Sequence, residues 1–471
     1  LVGVNVILVG TNQGSASNAD GYYTIINVEP GQYDLRASYI GYAQTTMEDI
    51  RVNIDLTTTV NFQMQSEALA GDEVIVEADR PVIRADISAN VSNVSTEEIV
   101  NLPLTSVEDV VSLEAGVESG LSVRGSGQNE VNFIVDGMSM RDGRENNPYT
   151  TVSYTSIKEI KMQTGGFNAE YGNVRSGLVN IVTKEGSRER YSADLMVRYA
   201  PPQRDYFGNL PNHPDSYWMR PYVDNPNIAN DVDPAFVGTH GGASVWDEWQ
   251  RRQYPQFEGW NQIVDEFAAD QVPNNDFSLQ GVQDLFWGRH RKELDVQDPD
   301  YVIDASFGGP VPFINKSLGN LRFYASYRNT QRAYYIPSLR DYYNEQMGRL
   351  KLTSDLSQSM KLRIEGMLSG EFGIQPSGQG FPSMWKGETP IYPWQNRGMS
   401  TGLAGGNSGG GAEIFADWTD NPSDVYRNMF GVDFTHTLSS RTFYEINLQG
   451  MFSDYNTYLP ESAWRNPDEV A

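Results

Sequence analysis

Few residues in this chain have the chemistry and spacing of a catalytic or metal site. The 471 residues contain no cysteine, which excludes disulfides, thiolate catalysis and cysteine metal sites. The four histidines, His213, His240, His290 and His436, are scattered, with none of the spacings a zinc site requires. GNSGG at 406–410 matches G-x-S-x-G by letters. It lies in the glycine tract TGLAGGNSGGGAE, with no strand before it and no helix after it, so it reads as a loop rather than a nucleophile elbow. The acidic runs DVDP (231–234) and DVQDPDYVID (295–304) miss the EF-hand pattern and read as solvated surface. In GLSVRGSGQNEVNFIVDGMSM (120–140), Gly125 and Gly127 give the start of a phosphate loop, but the third glycine is absent and a strand follows instead of a helix. No catalytic set, metal or cofactor is expected, and the chain reads as a non-enzyme.

Charge narrows the partners. Sixty-one acidic residues against 35 basic give a net charge of −26, which repels nucleic acid and anionic membrane surfaces. No run of 18 apolar residues is present, so no transmembrane helix is expected. The opening LVGVNVILVG is too short to span a membrane and has no basic residues ahead of it, unlike a signal segment. It lacks an initiator methionine and starts in mid-pattern, as a fragment or processed product would.

Residues 1–66 read as small all-β. Val2, Val4, Val6 and Leu8 alternate in a first strand, and further strands are expected at 22–28, 33–42 and 57–64, separated by turns at NADG and EPGQ. That spacing suggests a β-sandwich. Residues 71–186 read as a compact α+β unit. Ser95-x-x-Glu98 and Thr105-x-x-Glu108 are capping boxes for two short helices, the second ending at Gly116. A hairpin is expected where Leu121/Val123 and Val131/Phe133/Val135 flank a polar turn, followed by SIKEIKMQTGG and LVNIVTKEG.

From residue 187 onward the pattern changes to strict alternation. Seven segments, at 191–199, 301–307, 321–328, 347–353, 361–369, 428–436 and 442–453, each carry one apolar-aromatic face and one polar face. In 301–307, for example, Asp304 and Ser306 oppose Tyr301, Ile303, Ala305 and Phe307; in 361–369 the polar face is Lys361, Arg363 and Glu365. Long gaps at 200–300, 329–346 and 370–427 interleave with short ones at 308–320, 354–360 and 437–441. Short turns at one end, long loops at the other and apolar-out strands are the signature of an outer-membrane β-barrel. Hydrocarbon forces such strands to close into a ring, and an odd count does not satisfy that for this class, so the barrel is expected to continue beyond the C-terminus.

NADGYYTIINVEPGQYDLRASYIGYAQ resembles the carboxypeptidase-regulatory-like domain, a transthyretin-like sandwich, here without its usual first strand. LSVRGSGQNEVNFIVDGM with SIKEIKMQTGGFNAEYGNVRSGLVNIVTKEG resembles the plug domain of TonB-dependent outer-membrane receptors. In that family the plug sits inside a barrel of about 22 strands. The resemblance implies a mainly β fold truncated at both ends: a small β-sandwich at 1–66, a linker at 67–94, an α+β plug at 95–186, and over 187–471 the first seven or so strands of a large transmembrane antiparallel barrel with long extracellular loops at 201–300 and 371–427. It implies the outer membrane of a Gram-negative bacterium, with the N-terminal domain in the periplasm.

The same resemblance implies energy-coupled import of a scarce ligand (a glycan, peptide or metal chelate), with periplasmic TonB and its inner-membrane energising complex as partner. A surface lipoprotein lid and outer-membrane lipid are further partners, and nucleic acid is not one. Asp72, Glu73, Val74, Ile75, Val76, Glu77 and Ala78 stand where the family's TonB box lies, bracketed by Gly71 and Pro81. The box would pair as an added strand; the alternatives are the last strand of the sandwich or a linker. The plug motif comprises Arg124, Gly125, Asp136, Gly137, Glu170, Gly172, Arg175 and Gly177, whose charged members suit ion pairs to a polar wall, either to brace the plug or to release it. The stretch 201–300 holds five of nine tryptophans, including Trp218, Trp246, Trp249 and Trp260, and acidic residues outnumber basic ones there by 17 to 7. These are ligand-loop candidates, or the core of a self-packed loop. A surface-binding or adhesion barrel without transport is the alternative function.

Overall fold

The computed structural model describes most of 1–66, 74–77, 91–95 and most of 104–203, 297–334, 340–375 and 421–458, with isolated positions elsewhere. No helix among the described residues is long and apolar enough to cross a membrane. Three β-sheets carry the fold.

The first sheet holds β1 (Asn5–Leu8), β2 (Gly14–Ala16), β3 (Gly31–Ser38), β4 (Thr45–Val52) and β5 (Val74–Glu77), in the order β2-β1-β3-β4-β5. Val4, Val6, Leu8, Leu35, Ala37 and Ile50 form its buried face. The strands expected at 22–28 and 57–64 make no ladder. Tyr23, Ile25, Val28, Val60, Phe62 and Met64 pack across the core instead, and the Tyr23 hydroxyl donates to the Val60 carbonyl at 2.8 Å. Their alternation marked the buried layer but not its backbone partners. Conversely β4 was hidden in the sequence: Asp49 has φ +59 opposite a register shift between Tyr33 and Leu35, and such a bulge breaks the two-residue period.

The second sheet is β10-β9-β12-β11-β6, built from β6 (Val91–Ser95), β9 (Val131–Val135), β10 (Met138–Ser139), β11 (Ile157–Gln163) and β12 (Gly177–Thr183). Helix α1 (Val107–Ser112) packs Val107, Val110 and Val111 into its core. Its cap is Ser106, one residue later than expected, whose Oγ accepts from the Asp109 N–H at 3.1 Å. Of the helix expected after Ser95, only Ile99 lies within the described residues; Ser95 itself closes β6.

The hairpin expected across 121–135 does not form. β8 (Ser122–Val123) pairs with β7 (Val117–Glu118), whereas β9 runs parallel to β12 and turns through Asp136-Gly137 into β10. Asp136 (φ +50) and Gly137 (φ +89) are both left-handed, which matches the tight hairpin turn that an Asp-Gly pair favours. The real hairpin is therefore one strand later.

The third sheet is a seven-stranded wall in chain order: β13 (Ser192–Ala200), β14 (Asp300–Pro310), β15 (Arg322–Ala333), β16 (Tyr342–Ser357), β17 (Met360–Gln375), β18 (Asn421–Ser439) and β19 (Thr442–Thr457), every neighbour antiparallel. All seven alternating segments fall on these strands. One face leaves Leu195, Phe307, Leu350, Leu368, Phe430 and Phe452 exposed, and the other buries Asp304, Arg328, Arg349, Lys351, Glu365 and Arg427. An exposed apolar face opposite a buried polar one suits lipid outside and a hydrated, plugged lumen inside. The gap expected at 329–346 shrinks to 334–341, because β15 and β16 stay in register as far as Ala333↔Tyr342. It is shorter than the 311–321 connection at the opposite end.

The segment joining plug to wall passes close against the backbone of β14 and β15. A Cβ at Gly186 would clash with the Phe323 carbonyl oxygen, whereas at Gly143 it would meet nothing within 4 Å. Gly186→Ala is therefore expected to cost about 1–3 kcal/mol through forced backbone shifts and Gly143→Ala far less. Urea unfolding followed by tryptophan fluorescence would check the difference.

Candidate functional site: a latched plug and the strand ahead of it

The wall's polar face cannot be left bare, since its charges are shielded from water by the plug. The contact centres on the Asp136-Gly137 turn. Asp136 is buried, and its carboxylate accepts from the Thr183 N–H (3.0 Å) and Thr183 hydroxyl (2.5 Å) within the plug. From the wall it receives Arg349 Nη2 at 2.6 Å and Lys351 Nζ at 2.9 Å. Arg349 is shared with Glu365, and Arg363, paired with Asp433 at 2.8 Å, donates to the Asp136 carbonyl at 3.0 Å. Burial alone would raise the Asp136 carboxyl, but Lys351, Arg349, Arg363 and the Thr183 hydroxyl together hold it well below the usual carboxylate range.

Two further contacts spread the load. Asp304 of β14, fully buried, accepts from the Ser153 hydroxyl (2.7 Å), the Tyr154 N–H (2.7 Å) and the Thr155 hydroxyl (2.7 Å), with Arg328 at 2.9 Å behind it. Here the charge comes from the wall and the donors from the plug. On β18, Arg427 pairs with Asp142 (3.2 Å) and Glu371 (2.9 Å) and stacks on Tyr149, its guanidinium carbon 4.5 Å from the ring centre. Between these polar contacts Met347, Met367 and Met429 of the wall join the plug's apolar core. Methionine's flexible, polarisable side chain fills such an irregular seam.

At the junction of plug and wall, Glu185 receives Arg322 (2.8 Å) and Lys361 (3.0 Å), and Arg322 also reaches Asp355 at 2.9 Å. Burial would raise the Glu185 carboxyl, but Lys361, a hydrogen bond from Glu29, Arg322 and Lys351 hold it well below its ordinary value. Glu29 is raised, by burial first and by Glu185, so of the pair it is Glu29 that holds a proton more readily.

The other residues singled out from the sequence are placed differently. Among the described residues Arg124 makes its hydrogen bond inside the plug, its Nη2 donating to the Thr164 hydroxyl at 3.2 Å. The backbone N–H of Arg175 donates to the Glu130 carbonyl at 3.1 Å. Gly125 has φ +76 and a Cβ at Gly177 would strike Val123 at 2.7 Å, so these two motif glycines serve a turn and close packing, while the Gly172 carbonyl accepts from Asn132. Glu170, Trp218, Trp246, Trp249 and Trp260 lie outside the described residues, as do Asp72, Glu73 and Ala78. Val74–Glu77 is β5, paired in parallel with β4 from Thr45↔Val74 to Glu48↔Glu77. The segment is thus extended and forms the last, edge strand of the first sheet, the arrangement given above as the alternative to a separate box. Sequence reasoning missed Asp142, Ser153, Tyr154 and Thr155, whose roles depend on loop conformation and leave no periodic signal.

A small α+β body seated on the buried polar face of an antiparallel wall whose other face is apolar defines a plugged outer-membrane barrel protein. Residues 1–76 match the CarboxypepD_reg-like domain and 84–179 the TonB-dependent receptor plug domain. The chain thus carries the plug domain of TonB-dependent receptors behind a CarboxypepD_reg-like domain. It is 27% identical to the TonB-dependent transporter Oar of Myxococcus xanthus and 31% identical to the TonB-dependent receptor P39 of Formosa agariphila; each match covers 39% of this chain and 18% of the relative. The aligned part thus spans about a fifth of those relatives' length. The siderophore receptor PirA of Pseudomonas aeruginosa, 12% identical, superposes on 78% of this chain and 41% of its own with a TM-score of 0.41.

Removing the central carboxylate strands two buried cations. Asp136→Ala is expected to destabilise the seated plug by about 3–5 kcal/mol, read as a shift of the urea midpoint for plug unfolding. Because the folded Asp136 value lies below its unfolded value of about 3.9, its contribution is complete above that pH and is lost only as pH falls through the depressed value. Plug stability measured from about pH 5 to 8 is therefore expected to show no step from this group.

Proposed function

We propose that the chain is the N-terminal part of a receptor that imports a scarce ligand across the outer membrane by TonB-coupled active transport. The observation that carries this reading is β5, an extended segment directly ahead of the plug and at the edge of its sheet. An edge strand offers unpaired backbone groups to another sheet, which is how strand-adding partners bind. Val74, Ile75 and Val76 are β-formers suited to that pairing, and residues 72–78 are the TonB box.

Position supports a periplasmic N-terminal domain. Its Glu29 meets Lys361 at the start of β17, beside the short turn between Ser357 and Met360, the end that faces the periplasm in barrels of this kind. The long connections then lie outside, and the acidic, tryptophan-rich 201–300 loop contacts a glycan, peptide or metal chelate, with a lipoprotein lid as an optional partner. The chain does no catalysis. Its work is to hold a plug closed with contacts that a mechanical pull can undo one at a time.

Calorimetric titration of the chain with the C-terminal domain of TonB tests the reading. Val74→Pro with Val76→Pro removes two backbone donors and is expected to abolish binding. Equal binding by the proline variant would exclude 72–78 as the handle, and no binding by either protein would favour the adhesion barrel.

A further inference from the structure

The N-terminal sandwich is bonded to the plug and to the wall. β4 runs from Thr45 to Val52, and two residues beyond its end the Ile54 N–H donates to Glu159 Oε2 at 2.8 Å. Ile54 and Glu159 are both buried. Glu159 belongs to plug strand β11, which lies between β12 and β6 and pairs at that position with Val182 and Ser95. One residue earlier on β11, Lys158 holds Glu29 of the sandwich at 3.3 Å, and Lys361 of the wall holds the same carboxylate at 3.4 Å. Arg188, in the junction segment, donates to the Gly10 carbonyl at 3.3 Å.

We infer that the sandwich is a force-bearing link: pull applied to β5 passes across the β4–β5 ladder, along β4 to Ile54, and into the plug through Glu159. This inference rests on reading 72–78 as the partner's docking segment. Covalently, β5 is joined to the plug only through residues 78–90, which lead into β6 at the sheet edge. The Ile54–Glu159 bond opens a second route, one that arrives on β11, an inner strand. Parallel strands pulled along their axis load their hydrogen bonds together rather than in sequence, so the ladder can carry tension without peeling. The bond at its far end is an N–H to a buried carboxylate, roughly twice as strong as a neutral hydrogen bond and strengthened further by low local polarity. Glu29, clasped by one lysine from the plug and one from the wall, gives the same link a second footing and ties release of the sandwich to release of the plug from its seat.

The link can be tested on the full chain in a lipid bilayer. Because the protein has no cysteine, Asp72→Cys supplies a single thiol two residues ahead of β5 for attachment to an optical trap. In this background the first extension step is expected to be plug displacement with the sandwich still docked. Glu159→Leu should add an earlier, smaller step as the sandwich swings free, at about half the force, since one of its two charge-assisted footings is lost and the Glu29 clasp is left to carry the load. Ile54→Pro deletes the same bond from the sandwich side and must reproduce that step. Hydrogen exchange at Val6 and Ala37 in the sandwich and at Phe133 and Val179 in the plug shows that both stay folded. Identical first steps in all three proteins, or an Ile54 amide that exchanges as fast as an exposed one in the parent, would overturn the link. The traces need no TonB, so absence of TonB binding to the chain with Asp72 intact would sink the docking reading alone.

Discussion

A strand that spans a membrane must satisfy two media at once, and the rest of this molecule follows from how its inner face is answered. Seven strands present apolar side chains outward and Asp304, Arg328, Arg349, Lys351, Glu365 and Arg427 inward. Charges buried under a protein body cost several kcal/mol each unless they are paired. The plug is the body that covers them, so its surface must carry complementary groups at matching heights. Asp136 does so with a full charge in a left-handed turn, and Ser153, Tyr154 and Thr155 do so with neutral donors around Asp304.

On the transport reading proposed above, this arrangement lets a plug be both firm and removable. A wholly apolar interface of the same size would resist extraction through the cost of exposing hydrocarbon. Charge pairs have the opposite property: once water enters, each partner is resolvated and little is lost. The methionines at the seam supply contact without rigid interlocking. On that reading, firmness comes from exclusion of water and release from its entry.

Much of this was legible in the sequence, for specific reasons. The wall strands read clearly because a period of two survives along their whole membrane-facing length, and Asp304, Lys361, Arg363 and Glu365 appear on its polar face. Asp136 and Gly137 stood out only through the resemblance to the plug motif; that they turn β9 into β10 was not read from the sequence, which put the hairpin one strand too early. The failures were equally physical. β4 was masked by the bulge at Asp49, Tyr23 and Phe62 alternate without a ladder, and Val123 lies near Val131 in sequence yet pairs with Val117. Arg124 resembled an outward-reaching cation, but Thr164 lies closer. Contacts such as Ile54 with Glu159 join residues 105 apart and depend on how two domains dock, which no local pattern encodes.

The central claim is that buried charge pairing, rather than shape alone, seats the plug. A double-mutant cycle with Asp136→Asn and Arg349→Met, read as urea stability of the plug in the receptor, tests it most directly. The account predicts a coupling energy at the upper end of the range for contacting residues, about 1.5–3 kcal/mol. Two effects that simply add, to within about 0.5 kcal/mol, would contradict it.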